Sequence, residues 1–563
     1  MDFDSAAKKI VSDSICSAVC IDNAFVEPYT HMENPEESKY KTPKELYESF
    51  KKQNCVLDVY KYVDFENWEN KKESILKGKD LLILDWELSD GEPPFKDTLV
   101  ILLEAVRTES LPFVYIYTQE IDLDKVVLNI FSYFSGNTLE KLKEKYDLLC
   151  ENLEDNFSEV NDARELLKGM TEKCKEIVIF PHKIKDIRGQ IFGYFKEKLE
   201  LDFINTGEFH KNFMDIGKNI FKCETDEKFL MDLGLFLNNG HLPKEPVPEV
   251  SMYPIESERY AYLIHNTVVK ISTKKTPATG GAVEHIVSPE DVYSELSKTI
   301  CSRPQNFLAL LGLELRNLYR DSSSVIGKDI NEIDEMAFFQ HQNSLKDEDD
   351  ERFHDFLKNI WKDEISSFLL DQKPLLFSVL DNYKMKKDID SLLKSHDNNL
   401  LIQHLSRLNY YYSISRSQHK LSRKIRFGDI FSFLEETSPP SHSFLLCVTP
   451  HCDCLRPKKN GFFFVSGNEI SLKNGLEKEK INSGFISFVI FDKKLICIEW
   501  ITSPFTIHIP ANNIIEHIVC DLLEKKIILN HLAYQKENYT QRIANESFSK
   551  ANRVGIDFAK LEE

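Results

Sequence analysis

The chain has 563 residues, of which 42% are hydrophobic and 29% charged, and its formal net charge is −20. That length exceeds what one hydrophobic core organises, so several domains are expected. The acidic balance argues against a general nucleic-acid binder, no apolar run is long enough to span a bilayer, and the N-terminus lacks an export signal. The 12 cysteines are scattered, which reads as reduced thiols in a cytoplasm.

Residues 1–200 alternate strand-like and helix-like segments. Strands are expected at Ser14–Asp22, Cys55–Val63, Asp80–Asp85, Leu111–Thr118 and Glu176–Phe180. Polar, periodic segments of helical length separate them, at Pro43–Lys52, Asn67–Lys77 and Lys96–Thr108. Strands apolar on both faces and separated by helices predict a flavodoxin-like, doubly wound (βα)5 parallel sheet. The long link Ile121–Lys175 reads as a helical insertion.

Residues 201–424 read as a mainly helical middle domain, with a strong helix at Asn306–Tyr319 and an amphipathic one in 384–396. Gly240–Pro254 is proline-rich and extended, and Ser272–His285 reads as a flexible loop. From 425 to 563 short β-branched and aromatic runs take over. They predict a small antiparallel barrel or sandwich, closed by a helical tail over Ile514–Ala551.

In an open parallel sheet, ligands sit beyond the carboxyl ends of the strands. Those ends carry Asp22 and Asn23, then Asp85, then Thr118, and past the fifth expected strand Lys183. Carboxylates bind Mg²⁺ through hard oxygens, a carboxylate can accept phosphorus as an acyl phosphate, and a hydroxyl and an ammonium neutralise its oxygens. With these residues in this order, residues 12–200 resemble the receiver domain of two-component response regulators.

The resemblance implies that Asp85 accepts a phosphoryl group, with Thr118 and Lys183 following the added charge. It also implies that Asp22, Asn23, Asp85 and the backbone carbonyl of Glu87 hold Mg²⁺. Asn23 departs from the family's acid pair, which weakens that metal site. The family's Lys-Pro is absent, so Lys185 competes with Lys183. The implied partner is a histidine-kinase-like ATPase, and the implied role is a cytoplasmic, signal-responsive regulator, of a kind that also occurs in phage defence. A pseudo-receiver scaffold without phosphotransfer is the alternative.

Ile425–Pro457 resembles the opening of small SH3-like barrels of the MazF/PemK-type toxins, which leaves a ribonuclease effector as a further alternative. His451, Cys452 and Cys454 in "HCDC" are zinc or thiol candidates. Zinc is not expected there, because no second CxxC or HxxxH lies nearby. The basic run Arg416–Arg426 is the one candidate for nucleic-acid contact and otherwise reads as a solvated linker.

Overall fold

The computed structural model describes residues 2–27, 38–108, 111–180, 183–223, 225–238, 240–245, 247–250, 252–255, 259–275, 285–298, 307–322, 374–380, 389–391, 398–415, 423–435, 441–450, 453–454, 461–477, 485–501, 503–509, 518–522 and 525–551, with scattered single positions besides. They belong to two compact units, Met1–Ile389 and Asp390–Glu563. None of the described helices is long and apolar enough to cross a membrane.

The first unit opens with α1 (Phe3–Ser14), β1 (Ser17–Asp22), α2 (Ser38–Lys52), β2 (Val56–Lys61), α3 (Phe65–Leu76), β3 (Leu81–Leu84), α4 (Lys96–Arg107), β4 (Phe113–Thr118) and α5 (Leu123–Phe134). Six helices follow: α6 (Leu139–Asn156), α7 (Ala163–Lys168), α8 (Thr171–Ile179), α9 (Ile184–Lys198), α10 (Phe203–Phe221) and α11 (Asp226–Leu237). The chain then returns to the sheet through β5 (Met252–Pro254), β6 (Ala261–Ile264), β7 (Thr267–Lys274) and β8 (Ile286–Val287). It ends in α12 (Val292–Lys298), α13 (Phe307–Ser322) and α14 (Leu375–Leu380).

The sheet order is β2-β1-β3-β4-β7-β6-β5, with β8 beside β7. The pairs from β2 to β7 are parallel, whereas β6 and β5 run antiparallel. Alternate side chains explain why both faces are covered. Leu82 and Leu84 of β3, with Val114 and Ile116 of β4, pack with α3, α4 and α5. Leu81 and Ile83, with Phe113, Tyr115 and Tyr117, pack on the other face with α1, α2, α12 and α13.

The fifth parallel strand is therefore not at Glu176–Phe180. That segment lies in α8, whose Cys174 and Ile177 enter a separate helical core with α6, α10 and α11 while Val178 and Ile179 face the sheet. A helix buried on two sides has the same short apolar signature as a strand. Gly234 of α11 lets the pair close: a Cβ there would stand 2.7 Å from the Cys174 carbonyl oxygen. Ser272–Lys274 corrects the loop reading in turn, being the end of β7. Because β5 to β8 complete the N-terminal sheet, residue 200 falls within the first unit, and the 201–424 range divides between the two units.

The second unit contains α15 (Asn398–Ser413), β9 (Asp429–Glu435), β10 (Ser441–Cys447), β11 (Gly461–Ile470), α16 (Leu472–Gly475), β12 (Ile486–Phe491), β13 (Lys494–Trp500), β14 (Phe505–His508), β15 (Ile518–Leu522), β16 (Lys525–Tyr534) and α17 (Glu537–Ala551). Its antiparallel sheet has the order β12-β13-β11-β10-β9-β16-β15, with β14 on β11. The expected helical tail is thus a β15–β16 hairpin followed by one helix. The run "KKIILNHLAY" carries Ile527, Ile528 and Tyr534, types that favour strands, and Ile518, Cys520 and Leu529 bury in the sheet core. The amphipathic segment in 384–396 lies largely outside the described residues.

Candidate functional site

Three parallel strands next to one another, β3, β4 and β7, together with β1, deliver their last residues to one edge. Asp22 ends β1, Asp85 follows β3, Thr118 ends β4, and Lys274 ends β7 with Thr273 in register opposite Thr118. Lys274 reaches over this edge. Its Nζ lies 2.7 Å from Asp22 Oδ2 and 2.8 Å from Asp85 Oδ1. All three side chains are nearly excluded from water, and the ammonium also lies against the rings of Phe25 and Tyr117.

The carboxylates are held from behind. Asp22 Oδ1 accepts the N–H groups of Ala24 and Phe25, at 2.8 and 3.1 Å. Asp85 Oδ1 accepts the Trp86 N–H at 3.0 Å, and the Thr98 hydroxyl donates to the carbonyls of Asp85 and Trp86. Trp86 is buried and stacks on Phe95 with ring centroids 4.9 Å apart. The Thr118 hydroxyl is fully buried and accepts the Glu120 N–H at 3.0 Å. A hydroxyl that accepts in this way keeps its own proton to donate.

Two anions against one cation leave this edge one negative charge in excess. Burial pushes the Asp85 carboxyl up to about 6; the Lys274 ammonium opposes the rise and the Asp22 carboxylate adds to it. Lys274 itself is raised: burial would lower it, but Asp85 and Asp22 outweigh that.

Asn23 lies at the mouth of the edge, and its Nδ2 donates to the carbonyls of Glu87 at 3.0 Å and Leu88 at 3.1 Å. The carbonyl of Glu87 is thereby tied to the loop after β1. Lys183, by contrast, stands at the N-terminus of α9, with its ammonium 4.6 Å from the Phe180 ring centre, and Lys185 lies within α9. Neither ends a strand. Lys274 was missed because its strand comes some hundred residues later than a compact (βα)5 order places it. Its signature, "TVVKISTK" before a Gly-rich segment, has the same grammar as the strands that were found.

The remaining candidates belong to the second unit. His451 and Cys452 lie outside the described residues. Cys454 is buried, and its thiol donates to the Thr449 carbonyl at 3.3 Å. A hydrogen bond with Cys447, then burial, holds that thiol far above the ordinary range. Arg423, from the basic run, is not part of a solvated linker. Its guanidinium makes a two-pronged bond to Asp429, at 2.8 and 2.6 Å. Among the described residues, no three His, Cys, Asp or Glu side chains converge on a metal.

In a doubly wound parallel sheet, ligands sit at the carboxyl ends of the strands, and here that edge carries an Asp–Asp–Lys cluster. Residues 14–167 match the family model of the response receiver domain, a span that takes in β1 to β4 and ends before β7. Residues 14–167, which supply β1 to β4, are therefore a receiver domain, and this supports a signal-responsive regulator in the general sense. No curated protein and no solved structure matches the chain.

Proposed function

We propose that this receiver domain is the input element of the regulator and takes up a phosphoryl group on Asp85. The observation that carries the reading is the Lys274 ammonium, 2.8 Å from Asp85 Oδ1 and 2.7 Å from Asp22 Oδ2. The donor is a phosphohistidine on a histidine-kinase-like ATPase. An Asp85 oxygen attacks phosphorus, the P–N bond breaks, and its electron pair stays with the histidine ring. In this reading Lys274 and the Thr118 hydroxyl meet the oxygens of the transferred phosphoryl.

The residues present suit a hard divalent cation. The donors are all oxygens, the carboxylates of Asp22 and Asp85 and the carbonyl of Glu87, and the edge carries an uncompensated negative charge. When bound, such an ion would neutralise charge that builds up between donor and acceptor. The protein's own part is to orient the Asp85 carboxylate, which Thr98 and the Trp86 N–H do by fixing the backbone and Oδ1.

Phosphorylation of Asp85 removes the carboxylate that Lys274 holds and adds phosphoryl charge beside it. Lys274 and Thr118 end the neighbouring strands β7 and β4, so the change acts on that side of the sheet and on α5, which packs there. Incubation with acetyl phosphate and Mg²⁺ is expected to add one phosphoryl group, seen by intact-protein mass spectrometry. Asp85→Ala should abolish it. Labelling that survives in Asp85→Ala places the acceptor elsewhere, and no labelling of either protein removes the reading.

A further inference from the structure

Asn23 stands where the loops after β1 and β3 meet. A carboxamide NH₂ carries two protons, and here the group bonds two carbonyls, those of Glu87 and Leu88. The backbone on either side is pinned by the Asp22 bonds to Ala24 and Phe25 and by Thr98. The clasp thus joins two stiff loops.

The Glu87 carbonyl is also one of the oxygens suited to a divalent ion, whose bonds to oxygen are about 2.1 Å for Mg²⁺. The amide nitrogen already lies 3.0 Å from that oxygen, with a proton directed at it. A cation arriving at the same lone pairs meets the positive end of an N–H dipole, and an amide nitrogen supplies no ligand in exchange.

We propose that Asn23 is a built-in competitor of the cation: a latch that holds the Glu87 carbonyl in the resting state and swings away before a divalent ion seats. The inference rests on the reading of Asp22, Asp85 and Glu87 as the cation-holding edge. It makes the residue at position 23 a determinant of how strongly the site binds metal, through its hydrogen bonds as well as through its missing charge.

The test separates those two contributions. Mn²⁺ is titrated into the full chain and free ion is read from its electron paramagnetic resonance signal, for the natural protein, Asn23→Ala, Asn23→Ser and Asn23→Asp. Asn23→Ala removes the clasp without adding charge, so it should bind Mn²⁺ tighter by about three- to tenfold, the change that one or two neutral hydrogen bonds carry. Asn23→Ser, a second small replacement that cannot span to both carbonyls, should behave alike. Asn23→Asp should bind tighter still, because it adds a ligand.

Equal or weaker binding in both small variants overturns the latch. So does a gain that persists when Asp85→Asn is added, since the ion would then sit elsewhere. Mn²⁺ binding uses no phosphodonor, so failure of acetyl phosphate labelling would remove the proposed function and leave this result standing. Labelling with unchanged Mn²⁺ affinity would do the reverse.

Discussion

Each unit buries an ionic cluster, and the two are built in opposite senses. At the receiver edge one ammonium, Lys274, serves two carboxylates, and Asp85 rises to about 6. In the second unit one carboxylate, Asp429, serves the Arg423 guanidinium, the His531 ring and a backbone donor. It accepts two bonds from Arg423, one from the Arg426 N–H at 2.6 Å, and His531 Nε2 lies 3.1 Å away. Burial would raise Asp429, but the hydrogen bonds and charges of Arg423 and His531 hold it below the usual carboxylate range. The saturated cluster fixes β9 to β16 and has no charge left to respond. The unsaturated one keeps an acidic residue poised between charged and neutral, which is the property of a site that answers to added charge.

The largest expected effect is that of Asp429→Ala. It strands the Arg423 guanidinium, whose side chain is only 9% exposed, and should cost about 3–5 kcal/mol. Hydrogen exchange followed by mass spectrometry should show β9 and β16 losing protection while β1 and β3 keep theirs. Uniform loss over both units would contradict the local role.

Lys274→Met comes next, at about 3 kcal/mol, because it leaves Asp22 and Asp85 facing each other without a cation. Here the sign with pH is informative. Two uncompensated carboxylates bind protons more tightly in the folded chain than in the unfolded one, so the variant should recover stability as pH falls. Urea unfolding at about pH 7.5 and about pH 5.5 checks this, and a deficit that fails to shrink would count against the double bridge.

Much of this was readable in the amino-acid order, and the reasons for the rest are specific. Asp22, Asp85 and Thr118 were found because each follows an apolar run that is buried on both faces. Lys274 was hidden by the insertion of α6 to α11, which separates β4 from β7 and contains a decoy in "EIVIF". Periodicity cannot tell a buried helix end from a buried strand of that length. The β15–β16 hairpin was lost for a related reason: its strands lie in a long, charged stretch whose alternation is weak. The Asn23 clasp has no signature at all, since it depends on how closely two loops approach.

The smallest expected effect is that of neutralising Asp85. For Asp85, whose folded-state value is raised from 3.8 to about 6, the favourable state is the neutral one. The stability tied to that proton is fully present below the ordinary carboxylate range and is lost as pH rises through about 6. Asp85→Asn mimics the neutral form and leaves Lys274 paired with Asp22. It should therefore stabilise the first unit by about 1–3 kcal/mol at about pH 7.5, the upper figure being the whole shift at about 1.4 kcal/mol per pH unit. The gain should fade below about pH 6 and vanish near pH 4. Asp429 has the opposite sign. Its contribution is present above the ordinary carboxylate range and is lost only as pH falls through its depressed value, so Asp429→Asn should destabilise at neutral pH and matter less in acid. Urea melts of the two asparagine variants across that range should diverge from the natural protein in opposite directions at neutral pH. Parallel curves would mean that the two clusters share one charge balance, and that Asp85 is no more poised than Asp429.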